Sequence, residues 1–224
     1  MKRHPAPFTD RRQAGRELAL ALADMDLADP VILALPRGGV PVAFEIALRL
    51  NAPLDLLMVR KIGAPGNREF GIGAVVDGSA KQVVIDHDMA GAVGASEAYI
   101  DREIALELAE IERRRRAYGM AAPVPVKNRT VVVVDDGIAT GNTIRAALLG
   151  LEKAGAARIV LAIPVAPQDV LSELATLCDD LVCLATPEPF RAVGTHYLDF
   201  GQTSDDEVKT LLQQAPPALT RAAP

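Results

Sequence analysis

The chain has 224 residues, enough for one α/β domain with additions but short for two full domains. Half of the residues are hydrophobic and only 4% are aromatic, so we expect a large aliphatic core. The net charge of −5 argues against a general nucleic-acid-binding protein, and no apolar run approaches the length of a membrane span. Cys178 and Cys183 are too few for a disulfide framework and fit core positions in a reducing cytoplasm.

The first fifty residues predict helices that alternate with a buried strand. Capping-box spacing begins a helix over 10–25, and a continuous apolar run predicts a strand over 31–35. This strand ends in the sequence PRGG, residues 36–39, and a helix follows as far as Leu50. Taken alone, PRGG is better explained by a glycine turn with a surface arginine than by an anion site.

The next segment interrupts this alternation. A strand over 54–59 ends in Arg60 and Lys61, and the glycine-rich residues 62–73 then predict a mobile loop. Asp77 and Gly78 predict the turn of a small antiparallel hairpin. Loops of this length inside a compact domain are usually functional or disordered.

A turn and a long helix follow. His87 has no second histidine or cysteine nearby at ligand spacing, which favours a solvated turn over a metal site. The apolar spacing over 96–118 predicts a helix whose last turn carries four arginines, residues 113–116. Arginines at this helix end complement the helix dipole, which is a simpler explanation than contact with nucleic acid.

The most informative stretch is 130–143, TVVVVDDGIATGNT. Four valines predict a strand buried on both faces, and Asp135 and Asp136 follow directly. A loop of small residues with Thr140 and Thr143 then leads into an apolar helical pattern. Glycines and a helix N-terminus suit a phosphate, whereas two carboxylates suit hydroxyls or a metal ion. Together they predict a sugar-phosphate site.

The remaining sequence continues the alternation. It predicts, in order, a helix over 144–154, a strand over 158–165, a helix over 169–177, a strand over 181–185, an irregular segment over 186–200, a capped helix from Ser204 to Leu212 and a disordered tail over 215–224. The aromatic residues of the irregular segment either stack on a planar ligand or cover the end of the sheet.

The pattern as a whole predicts an α/β fold with a doubly wound parallel sheet, whose ligand sites lie beyond the carboxyl ends of the strands. Three candidate elements belong to that edge, namely residues 36–39, 60–73 and 135–143. The dinucleotide fingerprint and the P-loop are absent, so ATP bound in the P-loop manner is not expected.

With these elements, the sequence resembles the type I phosphoribosyltransferase family. Residues 131–143 match its signature of four apolar residues, two acids, a short apolar stretch and Thr-Gly-x-Thr. PRGGVPVA at 36–43 resembles its pyrophosphate-binding loop, and the resemblance covers residues 31–200. It implies the type I fold with a small antiparallel hairpin and lid and a C-terminal hood.

In domain terms, the resemblance implies a single domain over 1–214. Within it, residues 62–127 would form the lid, the hairpin and the long helix, and residues 186–200 would form the hood.

The resemblance also implies a ligand, 5-phosphoribosyl-1-pyrophosphate (PRPP), bound with Mg²⁺ that is held largely through PRPP. Asp135 and Asp136 would contact the ribose hydroxyls and the metal. The loop that would hold the 5-phosphate contains Gly137, Ala139, Thr140, Gly141, Asn142 and Thr143. Phosphoribose would pass to a small-molecule acceptor as pyrophosphate leaves, without a protein nucleophile.

The leaving group would have its own residues. Arg37, Gly38 and Gly39 would face the pyrophosphate, with Lys61 nearby. Arg37 and Lys61 would offset its charge, and residues 62–73 resemble the family's flexible lid, which would exclude water.

The sequence narrows the range of possible acceptors but does not identify one. Family members that act on 6-oxopurines carry an aspartate separated from the acid pair by two residues, where this chain has Ala139. A nucleobase-like acceptor other than a 6-oxopurine is therefore expected, with Phe190 and Tyr197 as candidates for stacking on it.

Two functions stay open. A phosphoribosyltransferase enzyme is favoured because Arg60, Lys61 and the glycine-rich segment are retained. A non-catalytic regulator that binds PRPP is the alternative. The resemblance is consistent with a cytoplasmic homodimer without nucleic-acid or membrane partners.

Overall fold

The computed structural model describes residues 7–78, 81–120 and 122–216. In chain order its elements are α1 (Arg11–Ala23), β1 (Val31–Ala34), α2 (Gly39–Leu50), β2 (Leu54–Leu56), β3 (Val59–Ala64), β4 (Asn67–Val76), β5 (Gln82–Ile85), α3 (His87–Ala92), α4 (Glu97–Ala117), β6 (Thr130–Val134), α5 (Asn142–Lys153), β7 (Arg158–Val165), α6 (Gln168–Leu174), β8 (Asp180–Ala185), a 3-10 turn (Val193–His196) and α7 (Asp205–Gln214).

Five strands form one parallel sheet in the order β2-β1-β6-β7-β8. Along β6, Val132 and Val134 pack with α1, α2 and α7 on one face, whereas Val131 and Val133 pack with α5 and α6 on the other. All four valines are fully buried, because both faces of the sheet carry helices. The predicted doubly wound parallel sheet is confirmed, and β6 is its central strand.

The predicted strand over 54–59 is confirmed for its first half, β2, but the chain leaves the parallel sheet after Leu56. Val59 begins a second sheet, which is antiparallel in the order β3-β4-β5. The predicted loop over 62–73 is wrong, since most of it forms the β3–β4 hairpin. Ile62 and Ile72 are fully buried there, and their packing against the core orders a segment whose glycine content is typical of loops.

The predicted hairpin around Asp77 and Gly78 is confirmed as the β4–β5 pair. His87 is exposed, as predicted, but it begins a helix rather than lying in a turn: Asp86 accepts a hydrogen bond from the backbone N–H of Met89, and this cap begins α3 at His87. A capping aspartate before a short helix gives the same local sequence as a polar turn.

The predicted N-terminal ends of three helices are confirmed, and each of them has a capping side chain. Asp10, Ser96 and Ser204 cap α1, α4 and α7 through hydrogen bonds to backbone N–H groups one turn later. The two cysteines are free thiols and half-buried. The tail predicted to be disordered lies, from residue 217 onward, outside the described residues.

Candidate active site

The loops after β1 and β6 meet at the carboxyl edge of the sheet. The two strands are neighbours in register, and the backbone N–H of Leu35 donates to the carbonyl of Val134 at 2.9 Å. Gly38 lies so close to the acid pair that a Cβ atom there would stand 2.1 Å from Oδ2 of Asp136. A larger residue at position 38 would force the Asp136 carboxylate to move. The structure therefore brings the PRGG turn and the two aspartates into one site.

The acid pair carries more negative charge than its surroundings compensate. Oδ1 of Asp135 accepts the backbone N–H of Asp136 at 2.8 Å, and Oδ2 of Asp136 accepts Nε of Arg11 at 2.7 Å. Burial, followed by the neighbouring Asp136 charge, raises the pKa of Asp135 well above its ordinary value. Burial also raises the pKa of Asp136, and Arg11 opposes that rise. The site therefore favours groups that donate hydrogen bonds or carry positive charge.

The loop behind the acid pair has the opposite electrostatic character. Gly141 adopts φ +75° as the N-cap of α5, and no side chain caps this helix. The first turn of α5 also carries no acidic residue, and Thr140, Asn142 and Thr143 are exposed beside it. Uncapped backbone N–H groups and the positive helix end make this turn suitable for a phosphate or another anion. Ala139 is exposed in the same loop.

The hood segment lies against the acid loop. A Cβ atom on Gly137 would stand 2.5 Å from a methyl group of Val193, which shows how close the two segments are. The hydroxyl of Tyr197 donates to the carbonyl of Asp136 at 2.5 Å, and burial raises the pKa of this hydroxyl.

The aromatic rings of the hood are engaged within the protein. The ring of Tyr197 is buried and packs against Phe8 and Phe200, with ring centroids 5.5 and 5.1 Å away. Phe190 stacks on His196 at 5.5 Å. Tyr197 therefore supports the acid loop, which corrects its assignment as a stacking residue.

The two predicted leaving-group cations are held by carboxylates. Nη1 of Arg37 lies 3.4 Å from Oδ1 of Asp205, the first residue of α7. Nζ of Lys61 donates to the carbonyl and the carboxylate of Glu69 at 2.7 and 3.1 Å, within the β3–β4 hairpin. Arg37 thus belongs to the turn beside the acid pair, whereas the contacts of Lys61 are made within the hairpin.

Sequence reasoning missed Arg11, which reaches Asp136 from 125 positions away in the chain. In the sequence, the only feature that distinguishes Arg11 is its position in the first turn of α1, which does not indicate a contact with Asp136. Arg114, Arg115 and Arg116 lie in the last turn of α4, as predicted, and Arg113 and Arg114 also pair with Glu110. Arg115 has a further role that the sequence does not predict, because it is buried and bonded to carboxylates of other elements.

Two general properties limit the possible chemistry of the described part of the chain. It contains no group of three or more histidine, cysteine, aspartate or glutamate side chains that could hold a metal ion. None of its helices combines the length and the apolar character that a membrane crossing needs.

Comparison with known proteins identifies the family. A sequence model of the phosphoribosyl transferase domain matches residues 9–198. The chain belongs to the phosphoribosyltransferase family. The predicted family and fold are therefore confirmed, but the predicted extent of the resemblance is not. The family match begins before α1 and includes Arg11, whereas the resemblance in sequence was placed at 31–200.

Two curated relatives carry the name of this family, and one solved structure shares the fold. Two curated proteins from Mycobacterium tuberculosis, strains CDC 1551 and H37Rv, carry the name "Putative phosphoribosyl transferase" and are 44% identical over 209 residues. The alignments cover 93% of this chain and 47% of each relative, so the chain spans about half their length. The crystal structure of TT1426 from Thermus thermophilus is 42% identical with a TM-score of 0.80, covering 93% of this chain and 99% of that one.

Proposed function

We propose that this domain transfers phosphoribose from PRPP to a nitrogenous small molecule and releases pyrophosphate. The observation that carries the proposal is the loop from Asp135 to Thr143, which joins two carboxylates to an uncapped helix N-terminus. One end of this loop suits hydroxyl groups and the other suits a phosphate. A ribose 5-phosphate carries both groups at a fixed separation.

The residues would divide the substrate among them. Asp135 and Asp136 would accept the ribose hydroxyls, and backbone N–H groups from Gly137 to Thr143, with the hydroxyls of Thr140 and Thr143, would hold the 5-phosphate. The turn with Arg37, Gly38 and Gly39 would face the pyrophosphate. Support for this division comes from the close approach of Gly38 to Asp136.

The acid pair also fits Mg²⁺, which prefers oxygen ligands and is usually held in proteins by one or two carboxylates together with substrate phosphates and water. Two adjacent aspartates without a larger ligand cluster among the described residues agree with that mode of binding. When bound, Mg²⁺ would neutralise charge on the departing pyrophosphate. Asp135 and Asp136 are the residues that would hold it.

The reaction needs little covalent chemistry from the protein. The bond from the anomeric carbon to the pyrophosphate oxygen breaks and its electron pair leaves with pyrophosphate. The lone pair of the acceptor nitrogen forms the new bond, and the proton on that nitrogen passes to solvent or to the departing pyrophosphate. Arg37 would stabilise the charge that develops on the leaving group once the substrate displaces Asp205 from it. Lys61 would take part only after the hairpin moves, because its present partner is Glu69.

The acceptor that we propose is nucleobase-like but not a 6-oxopurine. Ala139 offers a methyl group at the position where 6-oxopurine enzymes of the family carry an aspartate, so it provides no hydrogen bond to a purine ring. The exposed position of Ala139 in the loop supports this exclusion.

PRPP binding in the presence of Mg²⁺, measured by calorimetry, tests the proposal. The double variant Asp135→Asn/Asp136→Asn should lose at least about a hundredfold in affinity, because it removes the two carboxylates that would bind the ribose hydroxyls and the metal. Asp179→Asn/Asp180→Asn is the matched control, since these adjacent aspartates lie at the amino end of β8, at the opposite edge of the sheet. Equal affinity of the two double variants would refute the assignment.

Turnover separates the enzyme from a PRPP-binding regulator. Pyrophosphate release is measured with PRPP, Mg²⁺ and each base of a panel in turn. Release with one base identifies the acceptor, whereas tight PRPP binding without release for any base favours the regulator. Thermal stabilisation by a base only in the presence of PRPP would support the same acceptor independently.

A further inference from the structure

The guanidinium of Arg11 connects the acid pair to the end of the hood. Its Nε donates to Oδ2 of Asp136 and its Nη1 donates to the carbonyl of Gly201, both at 2.7 Å. Its Cζ lies 3.9 Å from the ring centroid of Phe200, a cation–π contact. The Arg11 side chain is only 12% exposed, so all three contacts are made in a partly desolvated position.

The backbone around Arg11 fixes where this side chain starts. The backbone N–H of Phe8 donates to the carbonyl of His196, and the carbonyl of Phe8 accepts from Leu198, both at 2.8 Å. The carbonyl of Thr9 accepts from the backbone N–H of Asp199 at 2.9 Å. The start of α1 is therefore held against the hood independently of any ligand, and Arg11 is preorganised beside Asp136.

Arg11 also makes the electrostatic environments of the two aspartates different. It compensates the charge of Asp136, whereas the only hydrogen bond that the described residues give to the Asp135 carboxylate comes from the backbone N–H of Asp136. Without Arg11, two uncompensated carboxylates would face an incoming sugar phosphate and repel it at short range. With Arg11, one carboxylate is neutralised and the other stays available.

We propose that Arg11 is a positioning residue, which holds Asp136 in place and lowers the negative charge of the acid pair so that an anionic sugar phosphate can bind. Asp135 is then the acid that is left to accept a hydroxyl or a cation. This inference rests on the proposed function and adds to it a residue from outside the sequence motif.

Arg12 provides a matched control on the next position of the same helix. Its Nε lies 2.5 Å from Oε1 of Glu45, and its Cζ lies 4.8 Å from the ring centroid of Phe44. Arg12→Met therefore removes one ion pair and one cation–π contact, as Arg11→Met does, without touching the acid pair. Arg11→Met removes in addition the hydrogen bond to the carbonyl of Gly201.

Two measurements should move in opposite directions in Arg11→Met. PRPP affinity in Mg²⁺ should fall about tenfold, because the unpaired Asp136 carboxylate repels the anion. Mg²⁺ alone should raise the melting temperature of Arg11→Met more than that of the wild type, because the same carboxylate attracts the cation. A general structural defect would weaken both responses. Arg12→Met should match the wild type in both.

The outcomes are distinguishable. If the wild type binds PRPP and Arg11→Met matches Arg12→Met, the assignment of Arg11 is overturned while the proposed function stands. If the wild type does not bind PRPP, the proposed function fails, and this is seen before any variant is compared. If Arg11→Met does not fold, Arg11→Lys decides: one ammonium cannot reproduce the fork to Asp136 and Gly201, so affinity should fall about threefold. Wild-type affinity of Arg11→Lys would overturn the assignment.

Discussion

Two clusters in this molecule have the same composition, two aspartates and one arginine, but different organisation. In the buried cluster, Arg115 bonds both acids, with Nη2 at 3.0 Å from Oδ1 of Asp55 and Nη1 at 2.7 Å from Oδ2 of Asp77. The backbone N–H groups of Leu56 and Val124 donate to Asp55 as well. This cluster ties α4 to a strand of the parallel sheet and to the end of the second sheet.

In the cluster at the carboxyl edge, the arginine bonds one acid only. Arg11 pairs with Asp136, and no cation among the described residues contacts the carboxyl group of Asp135. The comparison shows how a structural cluster differs from a candidate site: the first satisfies its charges within the protein, and the second leaves one to be satisfied by a ligand. Residue types alone do not distinguish the two.

The largest effect is expected from Arg115→Met. It leaves two buried carboxylates without a cation and should lower the free energy of unfolding by about 3–5 kcal/mol. Urea unfolding measures the change. Arg114→Met is the control, since Arg114 lies in the same helical turn but forms a surface pair with Glu110, and its effect should be much smaller. Equal effects of the two variants would break the distinction between the clusters.

The next prediction concerns one acid from each cluster. Asp55→Asn should lower the free energy of unfolding by about 2 kcal/mol, because it weakens the bonds to Arg115. Asp135→Asn should leave it unchanged, since no cation among the described residues pairs with Asp135 and an amide oxygen can still accept the backbone N–H of Asp136. PRPP affinity should fall about tenfold or more in Asp135→Asn. A clear loss of stability in Asp135→Asn would contradict the comparison.

Tyr197→Phe should have a smaller effect. It leaves the Asp136 carbonyl without its hydroxyl donor, at a cost of about 1–2 kcal/mol in the free energy of unfolding. PRPP affinity should fall less than in Asp135→Asn, because Tyr197 is buried and acts on the loop only through the Asp136 carbonyl. Thermal unfolding and calorimetry on the same preparation check both parts, and an effect on binding larger than that of Asp135→Asn would contradict this role.

The smallest effect is predicted for Glu110→Gln. Hydrogen bonds from Arg113 and then Arg114 lower the pKa of Glu110 from 4.5 to about 2. A lowered carboxyl pKa stabilises the folded chain at pH values above the ordinary pKa of 4.5. This contribution is lost as the pH falls from 4.5 towards 2. Urea midpoints of the wild type and Glu110→Gln should therefore differ slightly near neutral pH and converge in acid. A constant difference would mean that ionisation of Glu110 is not its cause.

The sequence predicted those features that a short stretch of chain determines. Four consecutive valines are enough to indicate a strand buried on both faces, and Asp10, Ser96 and Ser204 cap helices through bonds one turn away. The acid pair and the glycine loop are contiguous, so the candidate site could be located from its own residues.

Features that depend on distant partners could not be predicted. The β3–β4 hairpin is ordered by burial of Ile62 and Ile72, whereas its local composition is typical of a loop. Arg11 and Arg115 are arginines in helices, and only the fold brings each of them to aspartates far away in sequence. Their roles follow from desolvation and pairing, which a local pattern does not contain.

The contact between Gly38 and Asp136 sets a scale for the whole site. The two loops start from adjacent strands, and neighbouring strands in a sheet are separated by about 4.8 Å. The separation between a leaving group on one loop and a sugar on the other would therefore be fixed by the spacing of two adjacent strands rather than by the loops themselves. The loop sequences could then change without altering the separation of the two parts of the substrate.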